Sequence, residues 1–174
     1  WSKDYSYSEE EVIENIDRFR RHGIPLSTVL LDNAWATLDK EKFPNIRNGF
    51  TYNNKLFPNP DGMIQNIHKR GVKFGLKVNP YYGFYPFEHY FNEACRYMKP
   101  NKQGFIEFNP LDARNIDLYL KLFIHPLEAM GVDLFWNDYF SKDTSHLFLV
   151  NDYMYRDLAR NNKRPLLLAR NSTY

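Results

Sequence analysis

The sequence is poor in cysteine and has no clustered glycine. Its one cysteine, Cys95, can neither form an internal disulfide nor supply the ligand set of a structural zinc site. The eight glycines are scattered singly, so the glycine-rich turn that is typical of a nucleotide site in an open α/β sheet is missing. No apolar run approaches the ~20 residues of a transmembrane helix, and no basic segment followed by an apolar one stands at the start. These absences argue against a disulfide scaffold, a nucleotide-binding loop and a membrane span.

An excess of charge of one sign is also missing. Lys and Arg number 23 against 21 Asp and Glu, which gives a formal net charge of +2. A nucleic-acid or membrane-surface partner is therefore not predicted, because such partners normally require a basic patch. The five histidines show no H-x-H or H-E-x-x-H spacing, which makes a metal-dependent hydrolase the weakest alternative. They are His22, His68, His89, His125 and His146.

Aromatic residues, by contrast, are abundant. Thirteen Tyr, 14 Phe and 3 Trp make up 17% of the chain, which is typical of proteins that stack flat ligand faces. An aromatic-rich core would account for most of the Phe residues by itself. The composition is thus compatible with a sugar site without requiring one.

Helix, glycine, short apolar strand and polar strand end recur in this order along the chain. Ser8 and Glu11 form a predicted capping box at the start of the first helix, and Pro126 is expected to kink or split the longest helix. The predicted helices cover residues 8–22, 60–70, 86–98, 112–130 and 145–161. The predicted strands cover residues 28–31, 72–78, 105–108, 132–136 and 165–169.

The predicted fold is an α/β partial (β/α)8 TIM barrel of about five β/α units with parallel strands. Continuous apolar strands that alternate with helices indicate a parallel sheet covered on both faces. A doubly wound open sheet would also fit, but its glycine-rich first turn is absent. A complete barrel normally needs about 250 residues, whereas this chain has 174. We therefore expect residues 1–174 to form a single segment of a catalytic barrel that is truncated at both ends.

Polar and aromatic side chains gather at the predicted strand ends, where parallel α/β folds build their sites. Carboxylates and an arginine beside aromatic rings suit a sugar, because hydroxyls need acceptors and the pyranose face stacks on rings. The polar residues are Asp32, Asn79, Asn109, Asp138 and Arg170. The aromatic residues are Trp35, Tyr81, Tyr82, Trp136 and Tyr139.

Asp138 is the candidate nucleophile, since it ends an otherwise apolar strand. A retaining glycosidase needs a second carboxyl group about 5–5.5 Å away. Asp133 is too far along the strand and faces the opposite side, so a structural role at the strand entry is predicted for it. Asp143 and Asp152 could both reach the mouth. Lys77 leaves two interpretations open: it lines the pocket, or it pairs with a neighbouring carboxylate.

An ordered set of motifs over essentially the whole chain resembles glycoside hydrolase family 31. No single motif suffices, but their order and spacing agree with the family. The motifs are Trp1-Ser2-Lys3, Tyr7-Ser8-Glu9-Glu10, Gly23-Ile24-Pro25-Leu26 through Leu31-Asp32, Phe57-Pro58-Asn59-Pro60-Asp61-Gly62, His68-Lys69-Arg70-Gly71-Val72-Lys73, His125-Pro126-Leu127-Glu128, Gly131-Val132-Asp133 through Trp136-Asn137-Asp138, and Arg164-Pro165 through Ala169-Arg170.

The resemblance implies a retaining, exo-acting α-glycosidase of α-glucosidase type, without metal or organic cofactor, that acts on an oligosaccharide or α-glycoside. It matches Asp138 to the nucleophile and Trp136 to a wall of the −1 subsite. Asp32 and Arg170 match residues that hydrogen-bond the sugar. Asn79 falls on a strand end that lines the same subsite, and Trp35 is the substrate-binding aromatic predicted beside Asp32.

One departure from the family pattern concerns the acid/base. In the family this aspartate follows the arginine that matches Arg170, whereas the printed chain ends at Tyr174. We therefore expect the acid/base to be absent from this chain, the isolated chain to be inactive, and the remainder of the parent barrel to be its partner. An α-galactosidase-like enzyme and a non-catalytic carbohydrate-binding barrel fragment stay open as alternatives. The sequence predicts neither the compartment nor the identity of the sugar, for which an α-xyloside is a further possibility.

Overall fold

The computed structural model describes residues 5–139, 143–160, 162 and 164–169. Within this part of the chain, four parallel strands form one sheet: β1 (Thr28–Leu31), β2 (Lys73–Val78), β3 (Leu134–Asn137) and β4 (Leu167–Ala169). Their order in the sheet, β1-β2-β3-β4, is the same as their order in the sequence. A doubly wound sheet reverses its strand order at a switch point, so the uninterrupted order supports the predicted partial barrel.

Six α-helices accompany the strands within the described ranges. They are α1 (Glu9–Arg21), α2 (Pro60–Lys69), α3 (Phe91–Ala94), α4 (Ala113–Tyr119), α5 (His125–Met130) and α6 (Thr144–Leu158). The predicted capping box is confirmed, because the Ser8 hydroxyl accepts from the Glu11 N–H and the Glu11 carboxylate accepts from the Ser8 N–H. None of the helices in these ranges is long and apolar enough to cross a membrane.

The predicted strand at 105–108 is wrong, which reduces the predicted five units to four described strands. Ile106 instead forms a single antiparallel bridge with Phe84 inside the loop that follows β2. Gly83 makes this approach possible: its φ is +81°, and a Cβ there would lie 2.4 Å from the Ile106 carbonyl oxygen. Asn109 is consequently a loop residue, whose Oδ1 accepts from the Leu111 N–H.

The two central helical predictions also need correction. The helix predicted at 86–98 is reduced to the single turn α3, because the preceding residues fold back as a loop held by Glu88. The helix predicted at 112–130 is divided into α4 and α5 by a π-helical turn, Leu120–Ile124. Pro126 is the second residue of α5 and has no N–H for an α-helical bond, so the predicted splitting near Pro126 is confirmed.

The aromatic residues supply much of the core beneath the loops that follow β1 and β2. Phe84 stacks on Phe123 with a ring separation of 4.3 Å and contacts Tyr119 and Phe50 at 6.1 and 5.7 Å. All four side chains are buried. Most of the aromatic excess near these loops is therefore core packing, as the composition allowed.

The carboxyl and amino ends of the strands differ in the length of the loops attached to them. Residues 32–59 and 79–112 connect the carboxyl ends of β1 and β2 to the next long helices, whereas three-residue turns lead from α2 to β2 and from α5 to β3. Long loops at the carboxyl ends of parallel strands are the usual site-building elements of a barrel. Asp32, Asn79 and Asp138 lie at this end of the sheet.

Candidate active site

Three neighbouring strands bring charged side chains together at their carboxyl ends. Asp32 follows β1 directly, and its Oδ1 accepts from the Asn33 N–H at 2.7 Å, which fixes the start of a short 3-10 turn. Lys77 lies one residue before the end of β2. Asp138 follows β3 directly, and its backbone N–H donates to the Val78 carbonyl at 2.9 Å, so the β2–β3 ladder continues through it.

The ammonium of Lys77 bridges the two aspartates. Its Nζ lies 2.9 Å from Asp32 Oδ1 and 2.9 Å from Asp138 Oδ2. The three side chains are between 6% and 9% exposed, so solvent screens these contacts little. Of the two interpretations that the sequence left open for Lys77, pairing with a carboxylate is confirmed, and it applies to two carboxylates at once.

The tryptophans next to this cluster have different positions. Trp136 is half-buried, and its ring lies 4.6 Å from Lys77 Nζ, within range of a cation–π contact. Trp35 is only 1% exposed; its Nε1–H donates to the Lys77 carbonyl at 2.8 Å and its ring packs edge-on against Tyr52. In contrast to its predicted contact with substrate, Trp35 supports β2 from within the core.

Two asparagines lie at the carboxyl ends of β2 and β3. Asn79 is buried, and its Oδ1 accepts from the Tyr81 N–H, which caps the 3-10 turn Pro80–Tyr82. Asn137 is fully buried; its Nδ2 donates to Asn151 Oδ1 on α6 at 2.7 Å. Asn137 therefore anchors the end of β3 to α6, immediately before Asp138.

The other carboxylates considered from the sequence have partners of their own. Asp133 accepts from His68, Lys73 and the Phe74 N–H at the amino end of β3, which agrees with its predicted structural role. Asp143 caps α6 through the Ser145 N–H. Asp152 is exposed on α6 beside Arg156 and does not contribute to this cluster. The predicted sugar-binding residue Arg170 lies outside the described residues.

Glu88 is a buried carboxylate that sequence analysis did not identify. Its two oxygens accept from the Phe50 N–H at 3.0 and 3.1 Å and from the Thr51 hydroxyl at 2.7 Å, so it ties the loop after β2 to the loop after β1. Burial raises the pKa of Glu88 to about 7, although these donors oppose the shift. A single Glu in a loop gives no sequence signal for such a role, because the contact joins residues 38 positions apart.

One trio of possible metal ligands, in the part of the chain that the structure describes, lies between α5 and α6. His125 Nε2 is 2.8 Å from Asp157 Oδ2, and Glu128 lies close to both. The guanidinium of Arg160 binds Glu128 and also Asp157. Arg160 thus pairs with both carboxylates, so the group is an ion-pair network between α5 and α6.

Two buried carboxylates at the carboxyl ends of β1 and β3, on either side of β2 and with aromatic residues beside them, suit a glycoside-cleaving (β/α) barrel. Comparison with known proteins agrees. Residues 1–173 match the family described as glycosyl hydrolases family 31 TIM-barrel domain. The chain belongs to glycoside hydrolase family 31.

Three relatives illustrate the match. The chain is 27% identical over 139 residues to an α-xylosidase of Saccharolobus solfataricus, which covers 79% of the chain and 17% of the relative. A family 31 α-xylosidase of Xanthomonas citri superposes with a TM-score of 0.72 at 16% identity, covering 97% of the chain and 22% of that structure. An α-galactosidase of Lactobacillus brevis superposes with a TM-score of 0.58 at 19% identity, covering 94% and 25%.

These comparisons support the family and the barrel fold. The two structural matches fall below 25% identity, so they bear on the fold alone. The chain spans less than a quarter of the length of the two α-xylosidases.

Proposed function

We propose that the chain is part of a retaining, exo-acting α-glycosidase in which Asp138 is the nucleophile. The observation that carries this proposal is the contact of Asp138 and Asp32 with one buried ammonium at the carboxyl ends of β1, β2 and β3. One carboxylate of such a pair can attack while the other accepts hydrogen bonds from the sugar. The family membership and the polar strand ends support the same assignment.

The reaction takes place in two steps. The Asp138 carboxylate bonds to the anomeric carbon as the bond from that carbon to the glycosidic oxygen breaks, and a general acid protonates the departing oxygen. Water then attacks the anomeric carbon of the glycosyl ester, the same group removes a proton from that water, and the carboxylate is released. Asp32 would accept hydrogen bonds from hydroxyls of the terminal sugar, with Trp136, Asn79 and Arg170 lining the same subsite.

The acid/base is expected to come from the remainder of the barrel. Asp152 is exposed and pairs with Arg156, and Asp143 caps the start of α6. The family pattern puts this group in the loop that follows the arginine matched by Arg170. We therefore expect hydrolysis by the complete gene product that contains this sequence and not by residues 1–174 alone.

Among substrates, α-xylosides are the first to test. The relative from Saccharolobus solfataricus, which matches in sequence over 79% of the chain, is an α-xylosidase. The α-glucosidase type that the sequence predicted stays the second candidate. An α-galactoside is supported by likeness of fold alone.

The test is covalent labelling of the nucleophile. A 5-fluoro-α-glycosyl fluoride has so good a leaving group that it needs little help from the acid, so it reports on the nucleophile separately. The xylosyl, glucosyl and galactosyl reagents are incubated with the complete gene product and with residues 1–174, and intact mass and peptide mapping follow. We expect one adduct, on Asp138, with the xylosyl or the glucosyl reagent.

Other outcomes discriminate between the alternatives. Labelling of a carboxylate other than Asp138 would overturn the assignment of the nucleophile. Labelling by the galactosyl reagent alone would favour the α-galactosidase-like enzyme. No labelling of a folded complete protein, together with sugar binding in calorimetry, would favour a non-catalytic carbohydrate-binding barrel. Asp133→Asn is the matched control, since Asp133 lies at the other end of β3.

A further inference from the structure

We propose that Lys77 is a positioning residue of this active site, whose ammonium sets the separation and orientation of Asp138 relative to Asp32. The inference rests on the proposed function and deepens it, because it concerns how the attacking carboxylate and the sugar-binding carboxylate are held together. Lys77 acts through these two side chains and makes no contact with the reacting atoms in this account.

The hydrogen-bonding capacity of Lys77 matches what surrounds it. A lysine ammonium has three N–H donors and no acceptor. Asp32 Oδ1 and Asp138 Oδ2 each lie 2.9 Å from Nζ, and the ring of Trp136 lies 4.6 Å from the same nitrogen. Two carboxylates and one aromatic face thus surround the ammonium. With its donors directed at protein groups, Lys77 is suited to hold other residues rather than to bind a sugar hydroxyl.

The backbone of Lys77 is itself held by two contacts. It belongs to β2, the strand between β1 and β3. In the β3 register, Lys77 lies opposite Trp136, and its carbonyl accepts from the Trp35 indole at 2.8 Å. The Lys77 side chain is 9% exposed, so its rotamer freedom is small. Because the backbone and the aliphatic part of the Lys77 side chain are held in this way, the position of Nζ is fixed before any substrate binds.

Fixing Nζ has a direct consequence for attack. The anomeric carbon must meet a carboxylate oxygen of Asp138 at about 3–3.5 Å and in line with the departing bond, and a displacement of about 1 Å can cost about 100-fold in rate. Asp32 would fix the sugar through its hydroxyls while Lys77 ties Asp32 to Asp138. Lys77 Nζ therefore couples the position of the bound sugar, set by Asp32, to the position of the attacking carboxylate of Asp138.

The experiment measures the rate of covalent labelling, kinact, and the binding constant of the reagent, KI, in the complete gene product. Lys77→Met is compared with the natural protein and with Lys73→Met. Lys73 is the matched control, because it lies on the same strand and pairs with an aspartate, Asp133, at the opposite end. We expect kinact of Lys77→Met to fall about 100-fold with a much smaller change in KI, and both constants of Lys73→Met to stay within about twofold of natural values.

A rescue experiment separates positioning from a general loss of structure. In Lys77→Ala, a primary alkylammonium such as ethylammonium can occupy the space of the missing side chain. We expect kinact to recover as its concentration rises, whereas tetramethylammonium, which has no N–H donor, should leave the rate unchanged. If both truncated variants fail to fold by circular dichroism, Lys77→Arg is the test: it keeps the charge but moves the donors, so its kinact should fall at least about tenfold.

The possible results distinguish the proposed function from the proposed positioning role of Lys77. Absence of labelling in the natural protein would overturn the proposed function. Labelling of the natural protein on Asp138, with an unchanged kinact in Lys77→Met or in Lys77→Arg, would overturn the role of Lys77 and leave the proposed function intact. Equal losses in Lys77→Met and Lys73→Met would also overturn it, because the effect would then be a general one of charge on β2.

Discussion

The two ends of β2 carry the same kind of ion pair in two different settings. At the amino end, Lys73 Nζ lies 2.7 Å from Asp133; near the carboxyl end, Lys77 Nζ lies 2.9 Å from Asp138. Both aspartates flank β3. The Lys73 side chain is 66% exposed, whereas the Lys77 side chain is 9% exposed. Residue type alone therefore does not distinguish the two ends.

Burial and the number of carboxylates that each lysine contacts distinguish them. At the amino end, Lys73 contacts one carboxylate, that of Asp133, which also accepts from His68 and the Phe74 N–H. Burial acts to raise the pKa of Asp133, but these partners outweigh it and lower the pKa. Near the carboxyl end, the ammonium of Lys77 contacts two buried carboxylates. The proposed function uses these two carboxylates to bind and attack a sugar, whereas a structural role is predicted for the carboxylate at the amino end.

The largest expected effect comes from removing a carboxylate at each end of β3. We expect Asp138→Asn to lower kcat/KM for an aryl α-xyloside or α-glucoside by about 10⁴-fold or more, because the covalent step is lost. Asp133→Asn should leave kcat/KM within about threefold, since its partners are distant from the site. Steady-state kinetics on the complete gene product measure both values. Comparable losses in the two variants would remove the functional distinction between the ends.

The next effect concerns stability. Lys77→Met leaves two buried carboxylates without their shared ammonium, so we expect a loss of about 3–5 kcal/mol in the free energy of unfolding. Lys73→Met breaks a largely exposed pair and should cost no more than about 1 kcal/mol. Denaturant unfolding of both variants provides the comparison. A cost below about 1 kcal/mol for Lys77→Met would show that burial does not separate the two lysines.

Glu88 extends the comparison to a buried carboxylate whose described partners are an N–H and a hydroxyl rather than an ammonium. Because its pKa rises from an ordinary 4.5 to about 7, the folded state binds the proton more tightly than the unfolded state. The stability that Glu88 contributes is therefore complete below pH ~4.5 and is lost as the pH rises through about 7, by up to ~3 kcal/mol.

The measurement for Glu88 is the thermal midpoint of the natural protein and of Glu88→Gln between pH 5 and pH 8. The midpoint of the natural protein should fall with rising pH more steeply than that of Glu88→Gln, which cannot titrate at this position. Parallel curves would contradict the raised pKa.

The smallest expected effect concerns Asp133. Its pKa is lowered in the folded state, so its contribution to stability is present above the ordinary value of 3.8 and is lost as the pH falls through the folded value. Because the cluster is partly open to solvent, we expect this contribution to be no more than about 1 kcal/mol. Asp133→Asn should therefore lower the unfolding midpoint slightly at pH 7, and the difference should shrink as the pH falls below 3.8. A difference that stays constant with falling pH would point to lost packing rather than to charge.

The sequence predicts the strand ends better than it predicts what connects them. Thr28–Leu31 is predicted with the observed bounds, and the carboxyl ends of β2 and β3 are predicted to within one residue, because apolar runs and flanking polar residues define buried parallel strands. Residues 105–108 have the same apolar character but form only one bridge. Their pairing depends on Phe84, more than 20 residues away, and on the positive φ of Gly83.

In the candidate site, too, local sequence patterns are predictable and contacts between distant residues are not. Asp32 and Asp138 are identifiable because each directly follows an apolar strand, and Lys77 because it is a charged residue inside one. The sequence cannot show that one ammonium contacts both carboxylates, since that depends on the strand order and register of three strands. Trp35 illustrates the converse: its position beside Asp32 suggested a sugar contact, but a hydrogen bond to the Lys77 carbonyl directs its ring into the core.

The backbone hydrogen bond from Asp138 to Val78 also affects how the site moves. Residues on loops fluctuate independently of the scaffold, at low free-energy cost. Asp138 instead continues the β2–β3 ladder, so its backbone can depart from its position only when two strands separate. Displacement of the Asp138 backbone is therefore coupled to the opening of the sheet, so the origin of this side chain is held by the scaffold rather than by a loop.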